Sequence, residues 1–556
     1  MFRMMSLLAL LSVAPVARAA AQEPTPTPTP TPRAYPRPDA TPYPAGPVLE
    51  LSLDDAVKRT LENNADIRVE KFNPDVAEER VKEQRGVYDP LMSSSLSNAS
   101  TARRSQSVFS GGSTVDTGNL VYNFSAAEFM RTGGNLRLDF ANNRQRISPV
   151  GTSTFNPLFN ATLNASLTQP FLRNFRIDAN RLNLKIAKNN REISDVQFKQ
   201  TVVNTVASIK QLYYDLLYAI DNLEAQRKSL SLAQKLVDEN RIKVRVGTMA
   251  PLDVVAAESE QASREEAVIL AEAAVLDAED AIKRAIFPRN DPAVWALRIV
   301  PTDRPSAEPV PVDLEAAIAR ALGQRTDLLA ARKNLESAGL TTKYTSNQKL
   351  PNLDFIGGYG AAGTGGTAFV RDSPLGPIVQ TIPGGYGDAL SSVFGRDFPS
   401  WNIGVNFSYP LFNRSAEAAS ARAKLSQQQA EESLSRLEMQ VTAEVRTAAR
   451  AVDTNFKRVA STRAARVLQE QRLDAEEKRF NAGMSTNFLV TQAQRDLALA
   501  EVAELRAVAD YRKSIVNFER VQEAGGGGLG ATITSASSTG ARTTTTGTTA
   551  TGSTPQ

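Results

Sequence analysis

The chain has 556 residues, of which 64 are basic and 60 acidic, giving a formal charge of +4, and it contains neither cysteine nor histidine. Disulfides, thiolate metal sites and Ser-His-Asp or Cys-His catalysis are therefore excluded, and any metal site would have to be built from oxygen ligands. The near balance of charge, with no basic cluster interleaved with aromatics, argues against nucleic acid as a partner.

Residues 1–21 read as a signal peptide. Arg3 supplies the positive start, Leu7 to Val13 the short apolar run, and Ala17-Arg18-Ala19 or Ala19-Ala20-Ala21 the small-residue cleavage site. The apolar run is too short to span a bilayer as a helix. No cysteine follows, so the exported chain is expected to carry no lipid at a lipobox. Residues 22–48 alternate proline with threonine and then stay proline-rich, which favours an extended spacer.

From residue 49 the chain says one thing twice. Asp66 and Asp327, and likewise Pro90 and Pro351, stand 261 positions apart, each pair in matching surroundings. A period this long marks a duplicated domain rather than a solenoid unit. The first copy covers 49–287 and the second 313–523, joined by a proline-rich linker over 288–312.

The first copy opens with a short helical pair from Leu53 to Tyr88, followed by strands over about 91–168. In the last of these, Ala161, Leu163, Ala165 and Leu167 alternate with Asn160, Thr162, Asn164, Ser166 and Thr168. Period two marks a strand with one apolar face. Asn119–Phe124 and Asn135–Phe140, flanking Thr132-Gly133-Gly134, also alternate, and fit either an extra hairpin or a surface excursion. Pro170 marks the passage from strand to helix, with no break expected. Long helices then fill about 172–285. Val202, Val206, Ile209, Tyr213, Leu216, Ile220, Leu223, Leu230 and Val237 step by threes, fours and sevens, as a coiled-coil seam does. A helix from Asn180 to Arg245 would be on the order of 100 Å long, too long for one compact domain. Gly247 breaks it, and an alanine-rich helix returns from Leu252 to Ala285, so the copy ends in a helical hairpin with a glycine tip.

The second copy repeats this order. A helical pair spans Asp313 to Leu350, strands cover about 352–409, and helices about 413–521, broken at Gly483. Trp401, Ile403, Val405, Phe407 and Tyr409 share one strand face, with Asn402, Gly404, Asn406 and Ser408 on the other. Nine residues suffice to cross a bilayer as a tilted strand, and an uncharged polar face suits a water-filled lumen. The glycine- and proline-rich stretch Gly357–Pro399 reads as a loop. Within it Gly358-Tyr359-Gly360-Ala361-Ala362-Gly363 satisfies a dinucleotide-type glycine pattern, but Thr364-Gly365-Gly366-Thr367 is a poor helix start, so no nucleotide site is expected. Pro410 is the second strand-to-helix junction. Residues 524–556, rich in glycine, serine and threonine and almost without apolar content, read as a disordered tail.

Two copies give about four main strands. These cannot close a membrane barrel alone, because an open edge in lipid leaves backbone groups unpaired. Several chains must share one barrel that continues into a shared helical cylinder. Ser408-Tyr409-Pro410-Leu411-Phe412-Asn413-Arg414, Gln169-Pro170-Phe171-Leu172-Arg173 and the tip segments Val246–Val254 and Ala482–Val490 resemble the TolC family of outer membrane efflux channels, over roughly residues 49–523.

The resemblance implies an α+β membrane protein that forms a homotrimer. A twelve-stranded transmembrane β-barrel would lie in the outer membrane lipid of a Gram-negative-type bacterium, continuous with a periplasmic α-helical coiled-coil barrel. It further implies docking to a periplasmic adaptor and an inner-membrane transporter, with the channel itself passive and without cofactor, metal or catalytic residues. By the same resemblance Val246, Gly247, Thr248, Ala482, Gly483 and Met484 become adaptor-contact tips. Asp253, Leu489 and Gln492 become candidates for the aperture. The first copy thus offers a carboxylate where the second offers Leu489 and an amide. The residues themselves leave two other classes open: a periplasmic coiled-coil adaptor without a channel, and a carboxylate-based enzyme, for which no paired acid stands out.

Overall fold

The computed structural model describes residues 47–525, apart from 107, 111, 289–291, 305–306 and 374–375. The expected signal peptide, nearly all of the first spacer and nearly all of the tail lie outside the described residues.

In chain order the elements begin with β1 (Val48–Leu51), α1 (Leu53–Asn63), α2 (Ala65–Glu70) and α3 (Phe72–Arg85). Four strands follow: β2 (Leu91–Arg104), β3 (Thr114–Phe129), β4 (Asn135–Ser148) and β5 (Phe155–Pro170). The long helices α4 (Ala179–Arg245) and α5 (Pro251–Ile286) come next, then the short α6 (Pro292–Trp295) and β6 (Arg298–Pro301). The second half runs α7 (Leu314–Gln324), α8 (Thr326–Asn347), β7 (Asn352–Arg371), β8 (Ile378–Ile382), α9 (Tyr386–Gly395), β9 (Phe398–Ser408), α10 (Arg414–Asn481) and α11 (Asn487–Glu523).

Helix starts follow local chemistry. Ser52, Asn64, Asp178 and Asp313 each accept a hydrogen bond from a backbone N–H of the first turn of α1, α2, α4 and α7, satisfying donors that a helix leaves open. The 67 residues of α4 and the 68 of α10 make rods on the order of 100 Å long. Such rods are stable only where an apolar stripe is covered along their length. Ile209, Tyr213, Leu216, Leu223 and Val237 are buried on α4, as are Val441, Ala448, Val452 and Val459 on α10. Near its middle α10 packs on α7 and α11: Val441, Val445 and Ala448 meet Ala317, Ala321 and Val521. Further along, Val452 and Val459 meet Ala507 and Tyr511.

Four expectations are corrected, the last being the number of long strands. Residues 288–312 are more than a linker, because β6 pairs in parallel with β1. Leu51 and Ile299 are buried there, and the Tyr213 hydroxyl donates to the Leu51 carbonyl (3.0 Å), fastening this small sheet to α4. The stretch 357–399 is not a loop: it holds most of β7, then β8, α9 and the start of β9. Its glycines were misleading because alternate positions of β7 lie under other backbone. Nor do the helices continue directly from the strands. Eight residues separate Pro170 from Ala179, with Asn174 in a left-handed conformation, and Phe412 and Asn413 turn the chain in the same way before α10.

The main sheet is antiparallel, in the order β2-β3-β4-β5-β7, with both β8 and β9 paired to β7. Six of its strands are long, between 11 and 20 residues, rather than about four. The 119–140 region, left open by sequence, is a hairpin inside the sheet. Its β3 pairs with β2 along fourteen positions, and its β4 separates β3 from β5.

Candidate functional site

Two regions carry chemistry: the two-faced sheet, and the far ends of the helical hairpins. In the sheet, direct cross-strand partners share a face. Val405 stands opposite Phe355, Trp401 opposite Tyr359 and Phe407 opposite Leu353, with Ile403 opposite Gly357. The same face continues through Leu163 on β5, Phe140 on β4 and Phe124 on β3 to Leu96 and Met92 on β2. Trp401, Ile403, Val405 and Phe407 are exposed on it, and Tyr409 lies exposed just past the end of β9. The opposite face presents Ser93, Ser125, Asn143, Asn160, Asn164, Asn402 and Asn406, together with an Arg137–Asp139 ion pair at 2.7 Å. Pro170 is the buried last residue of β5, paired with Asp354, whereas Pro410 sits exposed in the turn before α10.

One element of the sheet region was missed from sequence. Helix α9 lies on the apolar face, with Ala389 and Val393 packed on Ala161 and Ala361. A Cβ on Gly363 would strike the Ala389 carbonyl, and one on Gly365 the Gly385 carbonyl, so both glycines are needed for the close approach. The Tyr386 hydroxyl and Asn142 side chain share a 2.8 Å hydrogen bond under this helix. Tyr386, Ala389, Leu390 and Val393 follow helical spacing, and that signal was available in the sequence.

At the far ends, both hairpin tips close in the same way. Gly247 (φ 80°) and Gly483 (φ 74°) occupy the left-handed region. The Gly247 N–H donates to the Val244 carbonyl and that of Thr248 to Lys243, while Gly483 donates to Phe480 and Met484 to Arg479. These are paired Schellman closures, and glycine is the residue that adopts the required φ without strain. Val246, Gly247, Thr248, Ala482, Gly483 and Met484 are all exposed, and no atom lies within 4 Å of a Cβ built on either glycine.

Behind the tips, the two hairpins are tied together. The Lys243 ammonium lies 3.6 Å from the Phe480 ring centre, a cation–π contact. Asn240 donates to the Asn487 side-chain oxygen (2.9 Å), and Asn487 donates to the main-chain oxygen of Asp253 (3.2 Å). Deeper in, Glu260 is buried between Arg264 on its own helix and Arg495 on α11. Burial alone would raise the Glu260 carboxyl, but hydrogen bonds and charge from Arg495 and Arg264 outweigh it and hold the group below the usual carboxylate range. Sequence reasoning missed Glu260, Asn240 and Arg495, since partners more than two hundred positions apart give no local signal. Asp253 is half-buried in the first turn of α5, and Leu489 and Gln492 are exposed on α11.

The comparisons with known proteins fit this arrangement. The family model described as "Outer membrane efflux protein" matches residues 56–286 and 317–521. The outer membrane protein TolC of Vibrio cholerae is 22% identical over 340 residues, covering 61% of this chain and 72% of that protein. Among solved structures, the outer-membrane channel OprN superposes with a TM-score of 0.59 at 17% identity, covering 85% of this chain and 90% of OprN. The CmeC outer membrane channel of Campylobacter jejuni gives 0.58 at 17% identity, covering 85% of each.

Proposed function

The chain belongs to the outer membrane efflux protein family, and on that premise we propose that it is a passive export duct that works as a homotrimer. In this reading, two tandem copies of strand, helix, tip and helix give each chain its share of a barrel in outer membrane lipid and of a helical cylinder in the periplasm. Where α9 does not cover it, the apolar sheet face meets lipid, and the polar face lines the lumen. A periplasmic adaptor docks on the exposed tips, and an inner-membrane transporter supplies the energy. The cargo is a small molecule or a polypeptide.

The observation that carries this reading is a sheet with one apolar and one polar face, joined within one chain to helical rods on the order of 100 Å long that end in exposed glycine tips. An antiparallel sheet with two free edges is not a finished membrane structure, so the function requires further copies. At the aperture, Asp253 from one hairpin and Leu489 and Gln492 from the other line the narrow end. The Glu260–Arg495 and Asn240–Asn487 contacts hold the two hairpins together when it is shut.

The test is complementation. A strain lacking its own efflux channels, given this chain with a matched adaptor and transporter, should regain resistance to exported toxins, and the protein should fractionate with the outer membrane. A protein found in the periplasm or inner membrane, conferring no resistance, would sink the proposal.

A further inference from the structure

We propose that three copies close one barrel of eighteen strands, six from each chain, by pairing the β2 edge of one copy with the β9 edge of the next. This rests on the trimeric channel reading above. It departs from the twelve strands that the family resemblance implies.

Three observations carry it. First, β3 and β4, at 16 and 14 residues, each exceed the roughly 9–11 needed to cross a bilayer. Second, they carry the apolar face in register with their neighbours. Phe124 and Leu138 lie on the same side as Leu163 and Val405, and both are exposed there. A hairpin standing clear of the membrane would have no use for that alignment. Third, the β3–β4 turn is fastened at the helix end of the sheet. Arg181 of α4 donates to the Thr132 carbonyl (3.1 Å), Thr132 donates to the Gln169 side chain (2.7 Å), and a Cβ on Gly133 would strike the Arg181 guanidinium. Twelve strands would require this turn to be torn from the junction and β2 to move against β5.

The free edges suit each other. Strand β2 leaves the helical end and β9 returns to it, so side by side they are antiparallel, as every other neighbour in the sheet is. With strands about 4.8 Å apart and tilted near 40°, eighteen strands enclose a backbone diameter of about 36 Å, against about 24 Å for twelve. The barrel then ceases to limit cargo size, and selection by width falls to the tip aperture.

Single-particle imaging of the full-length trimer, extracted from outer membranes, reads the strand number directly. Eighteen are expected. A trimer with twelve strands and the β3–β4 hairpin outside the wall overturns this inference and leaves the channel reading standing. Absence of an outer-membrane trimer overturns both. Because the chain has no cysteine, a double variant offers a second check. Ser93 and Ser125 face each other across β2 and β3, their hydroxyl oxygens 2.7 Å apart. Ser93→Cys with Ser125→Cys should form an intrachain disulfide in assembled trimers, seen as a mobility shift that reductant reverses. Assembled trimers that never link would contradict the pairing.

Discussion

At the scale of single residues, the tips and the buried carboxylate behave differently. Gly247 and Gly483 face open space, so a side chain there meets no clash and costs only backbone strain, about 1–2 kcal/mol per tip. Gly247→Val should therefore leave trimers intact, while cross-linking to the adaptor falls. Loss of trimers on a gel would refute the assignment. Glu260 is another matter, because its carboxylate is buried between two cations. Its folded pKa is depressed, so the linked stability is fully present above the ordinary carboxylate value of about 4.3 and is lost as pH falls through the lowered one. Glu444, held below its usual range against burial by Gln440 and Arg325, acts in the same direction. Glu260→Gln should lower thermal stability at pH 7 and shrink the gap between the melting temperatures at pH 7 and pH 4. A double-mutant cycle with Arg495→Gln should show coupling on the order of 1 kcal/mol. Additive effects would mean the two hairpins are not joined there. In the first copy Asp253 stands where the second has Leu489, so a trimer would present two kinds of tip.

At the scale of elements, legibility followed periodicity. The seam of α4 could be read because Ile209, Tyr213 and Leu216 are buried at regular steps along one rod. The face of β9 could be read because Trp401, Ile403, Val405 and Phe407 alternate without interruption. What escaped was structure whose signal is a missing side chain. Gly363 and Gly365 look like loop residues, yet they are strand residues pressed against α9, and only the fold reveals the contact. The dinucleotide-like glycine pattern over 358–363 likewise lies inside β7, between β5 and β9, as continuous strand. Gly363→Leu should displace α9 and expose residues 384–397 to protease, while the barrel still inserts. An unchanged digestion pattern would show that the helix does not depend on that contact. Val405→Arg places a charge on the apolar face at a cost of about 2–4 kcal/mol near the bilayer midplane. Insertion, measured as the folded fraction in outer membranes, should drop. Normal insertion would mean that the faces are reversed.

At the scale of the whole molecule, the single chain leaves its main sheet unclosed. Its helices are tied to one another by buried stripes, and the sheet is tied to the helices through Arg181 and Asp178 at one junction and the Phe412–Asn413 turn at the other. Both outer edges of the sheet stay open, with every residue of β2 and all but one of β9 exposed. An edge of that length is a template for any passing strand, and proteins ordinarily blunt such edges with bulges, charge or proline. Here β2 carries only a terminal Arg103-Arg104 pair, and Pro399 sits at the far end of β9. A single copy, before it meets another, is therefore the most hazardous form of this protein. Its safety depends on meeting its own kind before it meets anything else, so yield should rise with membrane insertion capacity rather than with synthesis rate. Overproduction without added insertion machinery should drive the protein into β-rich aggregates.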